Sequence, residues 1–207
     1  MKAREGDLLQ TQDETIFDVK GLVHPPNSTV AFPRFIPDAH GNRRREDRVY
    51  RKIYALSERY KLLEKRFPQY LIYDPVFGER LCEVPRKDIR HYYNPVQRLQ
   101  EFRNASQLDD LEVDAILFAE FLKNNSAVSW NKMGISGSLL VQLHTPGSDL
   151  DLAVYGEKAC RKVCETLKSA MKDGKTEVKP YTLESLKSLY AFRSQDTKIP
   201  FNDFAAT

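Results

Sequence analysis

Residues 134–156 read Gly-Ile-Ser-Gly-Ser-Leu-Leu-Val-Gln-Leu-His-Thr-Pro-Gly-Ser-Asp-Leu-Asp-Leu-Ala-Val-Tyr-Gly. An apolar, β-branched run ends at Ile135, so a strand is expected over 128–135. A glycine turn and a short apolar stretch follow, and a second strand is expected over 149–155, ended by Gly156. Side chains two apart on a strand share a face, so Asp149 and Asp151 point the same way while Leu150, Leu152 and Val154 point into a core. Two carboxylates on one face repel each other unless a cation lies between them. Hard divalent ions take oxygen ligands, and Mg2+ is commonly held by one or two carboxylates plus substrate phosphates. Gly137-Ser138 lies upstream, where a strand-to-helix turn exposes backbone N–H groups and a hydroxyl suited to phosphate. A phosphate cradle beside a carboxylate pair suits phosphoryl or nucleotidyl transfer.

Outward from this segment, an apolar stripe at helical spacing predicts a helix over 107–124. Downstream, an amphipathic helix is expected over 157–172, and Thr182 caps a last helix to about Arg193. Upstream the character changes near Asn104. The first half mixes short strands with one or two helices: a strand or bent pair around Gly21 within 14–24, a strand over 29–36 with Pro33 marking an edge or bulge, an exposed loop over 38–45, and a strand over 49–56. Ser57 is read as the cap of a helix through Lys65, a strand pair flanks the Asp74–Gly78 turn, and 85–103 reads as helix broken near Asn94-Pro95. The predicted division is a small mixed β/α domain at 1–104 and an α/β or α+β domain at 105–207.

Composition sets outer limits. The chain has 207 residues, 41% hydrophobic and 29% charged, in the ordinary globular range. No stretch approaches the roughly 18 apolar residues of a membrane span, and the N-terminus lacks the apolar core of a signal peptide. Three cysteines, Cys82, Cys160 and Cys164, make no disulfide framework, so a soluble cytoplasmic protein with no membrane partner is expected. The net charge of +3 is uneven: residues 43–66 hold ten basic against four acidic side chains, with Tyr50, Tyr54 and Tyr60 interleaved. Arg43, Arg44, Arg45, Arg48, Arg51 and Lys52 read either as a solvated surface or as a nucleic-acid contact. His144, in the motif loop, is either a phosphate or proton-handling group or a structural histidine.

The order Gly137-Ser138, then Ser148-Asp149-Leu150-Asp151-Leu152, resembles the polymerase-β-type nucleotidyltransferase superfamily. The whole chain is similar to a group of predicted nucleotidyltransferases found mainly in archaea, through Gly-Ser-Leu-Leu-Val-Gln-Leu-His-Thr-Pro at 137–146 and through Phe17-Asp18-Val19-Lys20-Gly21 and Tyr73-Asp74-Pro75-Val76-Phe77-Gly78. The resemblance implies a short mixed sheet with helices, with Asp149 and Asp151 as catalytic carboxylates binding two Mg2+ or Mn2+ ions. It further implies that Gly137, Ser138 and Ser148 serve the nucleotide, with a nucleoside monophosphate moved from an NTP to a hydroxyl of RNA, a protein or a small molecule. The alternative is a nucleotide- or nucleic-acid-binding protein on the same fold without turnover. Two departures stand out. Gln142 occupies a position where many members have glycine, and the third carboxylate expected on a later strand has only Glu177 and Asp203 as pattern-compatible candidates. A short member or a C-terminally truncated one is expected on that ground.

Overall fold

The first 93 positions form eight strands of one antiparallel sheet: β1 (Leu8–Thr11), β2 (Ile16–Val19), β3 (Ser28–Pro37), β4 (Arg43–Arg45), β5 (Arg48–Lys52), β6 (Leu71–Asp74), β7 (Glu79–Pro85) and β8 (Ile89–Tyr93). The computed structural model describes residues 2–173, 176–194 and 199–206. The long strand β3 is central. It pairs with β7 through Ser28–Val30, with β2 through 31–35, and with β5 through Phe35–Pro37. Only a three-residue 3-10 turn, Arg86–Asp88, separates β7 from β8, yet β8 pairs with β1. The sheet must therefore curl back on itself, and the Thr29 and Tyr92 hydroxyls meet at 2.9 Å between β3 and β8.

Strand alternation divides the apolar residues between two faces. Leu9, Phe17 and Val19 line the inside of the curl with Ala31 and Val84, and helix α1 (Leu56–Arg66) adds Leu63 to this core. Their neighbours Leu8 and Ile16, with Phe35 and Tyr50, face outward and are equally buried. What covers them is Leu140, Val141 and Leu143 of the motif loop. Truncating a fully buried phenylalanine such as Phe17 or Phe35 would cost about 3–5 kcal/mol.

The second half comprises α2 (Pro95–Asn104), α3 (Asp110–Ser126), β9 (Met133–Ile135), α4 (Gly137–Leu140), β10 (Leu152–Val154), α5 (Glu157–Asp173), α6 (Leu183–Arg193) and α7 (Phe201–Ala206). Strands β9 and β10 pair antiparallel, and Met133, Ile135, Leu139, Leu99, Phe102, Ala119, Leu122 and Val163 form the core beneath α2, α3 and α5. Gly134 is required by a close approach: a Cβ there would overlap the Pro95 backbone. The whole is an α+β fold with a curled antiparallel sheet and, among the described residues, seven α-helices. None of these is long and apolar enough to cross a membrane.

Several expectations need correction. Residues 38–45 are not wholly loop, because Arg43–Arg45 form an edge strand in a tight hairpin with β5, turned by Glu46 at φ +53°. Residues 89–93 are strand β8 rather than helix, since Ile-Arg-His-Tyr-Tyr pairs with β1, a strand that periodicity did not reveal. Helix α1 starts one residue before Ser57, and its N-cap Ala55 makes no side-chain cap. Helix α2 packs Leu99 and Phe102 into the core of the second half. The short mixed sheet expected in the second half is a two-stranded antiparallel pair among the described residues.

Candidate active site

The Gly-Ser turn and the acidic pair meet because β9 and β10 are antiparallel neighbours. Strand β10 begins only at Leu152, so Asp149 and Asp151 precede it rather than lie within it. The ladder nonetheless extends one step: Ser136 N–H donates to the Asp151 carbonyl at 2.7 Å. Ser136 Oγ donates to the Gly6 carbonyl at 2.7 Å, anchoring the turn to the first half. Gly137 follows with φ +61°, a conformation that disfavours any side chain, and a Cβ there would overlap Asp151 Oδ2. The Asp151 carboxylate thus lies directly against the Gly137 backbone. Ser138, in the first turn of α4, is nearly fully buried, at 2% exposure. Gln142 sits at φ +56°, in the left-handed region where glycine is favoured.

The rest of the loop is clamped by the sheet. The buried Arg43 guanidinium donates through Nη1 to Leu143 O at 3.0 Å and to Ser148 Oγ at 2.8 Å. Ser148 Oγ also accepts the Thr145 N–H at 2.9 Å, so this serine closes the loop just before Asp149. Arg45 donates to Val141 O and to the Tyr93 and Tyr50 hydroxyls. Both carboxylates of the pair remain exposed. Partial desolvation by the surrounding protein is the main cause raising the Asp151 pKa; Lys52 opposes it, and Asp149 adds to it. Burial likewise is the main cause pushing the Lys52 ammonium down to about 8, helped by Arg34 and Arg43 and opposed by Asp151 and Asp149. Cations from β3, β4 and β5 therefore face carboxylates from the motif.

The basic segment divides by role. Arg43 and Arg45 hold the motif loop, Arg51 pairs with Asp38 and Glu58, and Arg48 lies 3.9 Å from Glu14. Arg44 is exposed and Lys52 faces the site. Of the two candidates for a third carboxylate, Glu177 lies in an exposed segment outside any strand, and Asp203 is exposed in the first turn of α7, not on a strand. Among the described residues no third strand joins β9 and β10. Sequence reasoning missed Asp18 and Arg34. Asp18, on β2 and paired with Lys20 at 2.8 Å, is within electrostatic reach of Asp151. A charged residue alternating with apolar ones on a strand was the available signal.

His144 is bound elsewhere. Its Nε2 meets Asp109 Oδ2 at 2.6 Å, and with Glu112 these are the described residues that bring three metal-type ligand atoms within 4.8 Å of one another. Asp109 and Glu112 are also the reciprocal N-terminal cap of α3.

No family model matches the chain, and no solved structure matches it. It is similar to an uncharacterized protein of Methanocaldococcus jannaschii, MJ1086, with 32% identity over 212 residues. That alignment covers 99% of this chain and 62% of the relative, so the chain spans less than two thirds of the relative's length.

Proposed function

We propose that the chain is a metal-dependent nucleotidyltransferase that moves a nucleoside monophosphate from an NTP to an acceptor hydroxyl, releasing pyrophosphate. The observation that carries this reading is the Asp149–Asp151 pair set against the Gly137 turn, where a Cβ would collide with a carboxylate oxygen. The donor set fits a hard divalent ion: two exposed carboxylates, with Asp149 near enough to help raise the Asp151 pKa. Asp149 and Asp151 would hold Mg2+ or Mn2+, which supplies charge neutralisation at phosphate and activation of the attacking hydroxyl.

The chain's own residues contribute the rest. Gly137 leaves the space that a side chain would fill. Arg43 and Ser148 fix the loop that presents Asp149, and Lys52 and Arg34 supply positive charge opposite the pair. RNA, a protein side chain and a small molecule are all compatible as acceptor. The free thiols of Cys82, Cys160 and Cys164 suit a cytoplasmic setting. A second reading, nucleotide or nucleic-acid binding without turnover, is favoured by the lack of a third strand beside β9 and β10 among the described residues.

The test is a turnover assay with each labelled NTP, Mg2+ or Mn2+, and total RNA, protein or solvent as acceptor. We expect labelled product or pyrophosphate, reduced on the order of 10²–10³-fold in Asp149→Asn/Asp151→Asn. Equal turnover in the double variant, or tight NTP binding with no product in any mixture, would overturn the catalytic reading.

A further inference from the structure

Strand β3 contains a register shift against β2: Ile16 pairs with Phe35 and Phe17 with Pro33, so Arg34 is passed over. A bulge of this kind re-aims the side chain of the extra residue. The Arg34 guanidinium reaches Ile53 O at 3.2 Å and lies 5.5 Å from the Tyr54 ring centre. Lys52, the last residue of β5, brings its ammonium 5.0 Å from the same ring. Arg43 comes in from β4, 8% exposed, and its Nε is buried with no hydrogen-bond partner. Among the described residues, no carboxylate oxygen lies within 4.0 Å of any of these three cations, whereas Arg51, Arg66, Arg90 and Arg98 are all paired.

Arg34, Arg43 and Lys52 repel one another, and the facing Asp149 and Asp151 offset this only in part, so a further anion would be stabilised among them. Burial is the main cause depressing the Lys52 pKa, and Arg34 and Arg43 add to it. The groove that Arg34 and Lys52 border has a volume of about 200 Å³ and is also lined by Arg59, Arg193 and Asp149 and by Tyr54 and Phe192, whose rings pack edge to face at 5.6 Å; Arg43 lies outside this lining. Pockets that enclose a whole drug-sized ligand run to about 300–1,000 Å³, so this one suits a chain of phosphates rather than a base and sugar.

We infer that this groove is a polyphosphate-binding site, in which Lys52 and Arg34 grip the triphosphate tail of a nucleoside triphosphate and Arg43 supports them from the Ser148 end of the loop. The inference rests on the nucleotidyltransferase reading for the identity of the ligand, but its test needs no turnover.

The probe is inorganic tripolyphosphate, titrated calorimetrically into the full chain in EDTA, with ATP, AMP and a short oligoribonucleotide as comparators. Tripolyphosphate and ATP should bind within a few-fold of each other, and AMP at least tenfold more weakly. Lys52→Gln and Arg34→Gln should each weaken tripolyphosphate at least tenfold. Lys52→Arg should keep binding within about threefold, which separates lost charge from lost fold. Asp149→Asn/Asp151→Asn should bind as well as or better than wild type. Unchanged binding in Lys52→Gln and Arg34→Gln would overturn the inference. So would AMP matching ATP, an oligoribonucleotide that tripolyphosphate cannot displace, or wild type binding no tripolyphosphate. None of these results bears on whether the Asp pair supports turnover, which the labelled-NTP assay decides.

Discussion

Among the described residues, Asp109, Glu112 and His144 bring their ligand atoms closer together than Asp149 and Asp151 do with any third His, Cys, Asp or Glu, yet they make the weaker candidate site. Their carboxylate oxygens are already engaged, while His144 Nδ1 is buried without a hydrogen-bond partner. Asp109 Oδ1 accepts the Glu112 N–H at 2.9 Å, Glu112 Oε2 accepts the Asp109 N–H at 3.2 Å, and His144 takes the other Asp109 oxygen. Arg98 lies 3.6 Å from Glu112 and adds compensation. This is a helix cap with a histidine attached. Among the described residues, the Asp149 and Asp151 carboxylates make no such hydrogen bonds; their surroundings supply a glycine turn, another carboxylate and cations without a carboxylate partner at ion-pair distance. Proximity of ligand atoms is therefore a poor guide to a site. Carboxylates left without internal partners are a better one, because folding alone gives them nothing to do.

The contrast predicts that function and stability separate between the two clusters. The largest effect should come from Gly137→Ala. Its methyl group displaces Asp151 and strains a φ of +61°, so turnover should fall on the order of 10²-fold, with a stability loss of about 1–3 kcal/mol by denaturant titration. Survival of full turnover would show that the contact between turn and carboxylate is incidental.

Asp109→Ala should do the reverse, removing an N-cap worth about 1 kcal/mol while changing turnover less than twofold. Its pH dependence carries a sign. Burial acts to raise the Asp109 pKa, but hydrogen bonds from His144 and the Glu112 N–H outweigh it, and the folded value lies below the usual one. A depressed carboxylate stabilises above the unfolded pKa of about 4 and loses that contribution as pH falls through the folded value. The gap in stability between wild type and Asp109→Ala should thus persist at neutral pH and close in acid. A melting temperature raised by Zn2+ in wild type and not in the variant would break the contrast. The smallest effect is expected for the stability of Asp149→Asn/Asp151→Asn, unchanged or raised by up to about 0.5 kcal/mol as the repulsion disappears.

Where periodicity and punctuation were strong, the sequence was legible. The Thr182 cap, the amphipathic helix α5, the Pro33 bulge and the turn after Asp74 all appear where local chemistry places them. Strands β1 and β8 were hidden because each is a short segment with little alternation and is defined by its partner. The Asp149–Asp151 pair was legible as a spacing, but its setting was not. Arg34 and Lys52 come from strands that carry no motif, Asp18 comes from a segment read only as a resemblance, and the fold of the sheet brings them to the loop. The basic segment misleads for a related reason: Arg43 and Arg45 look like surface charge in one dimension and are loop clamps in three.

The clamps also fix when the site comes into being. Arg43 to Leu143 and Ser136 to Gly6 are contacts across 100 and 130 residues of chain. Closing loops of that length is slow, and such contacts form after local helices and hairpins are in place. The cleft is thus assembled late in folding. A chain with its secondary structure in place but its two halves not yet docked would have both aspartates and no site, so the proposed competence to bind nucleotide would mark the completed molecule.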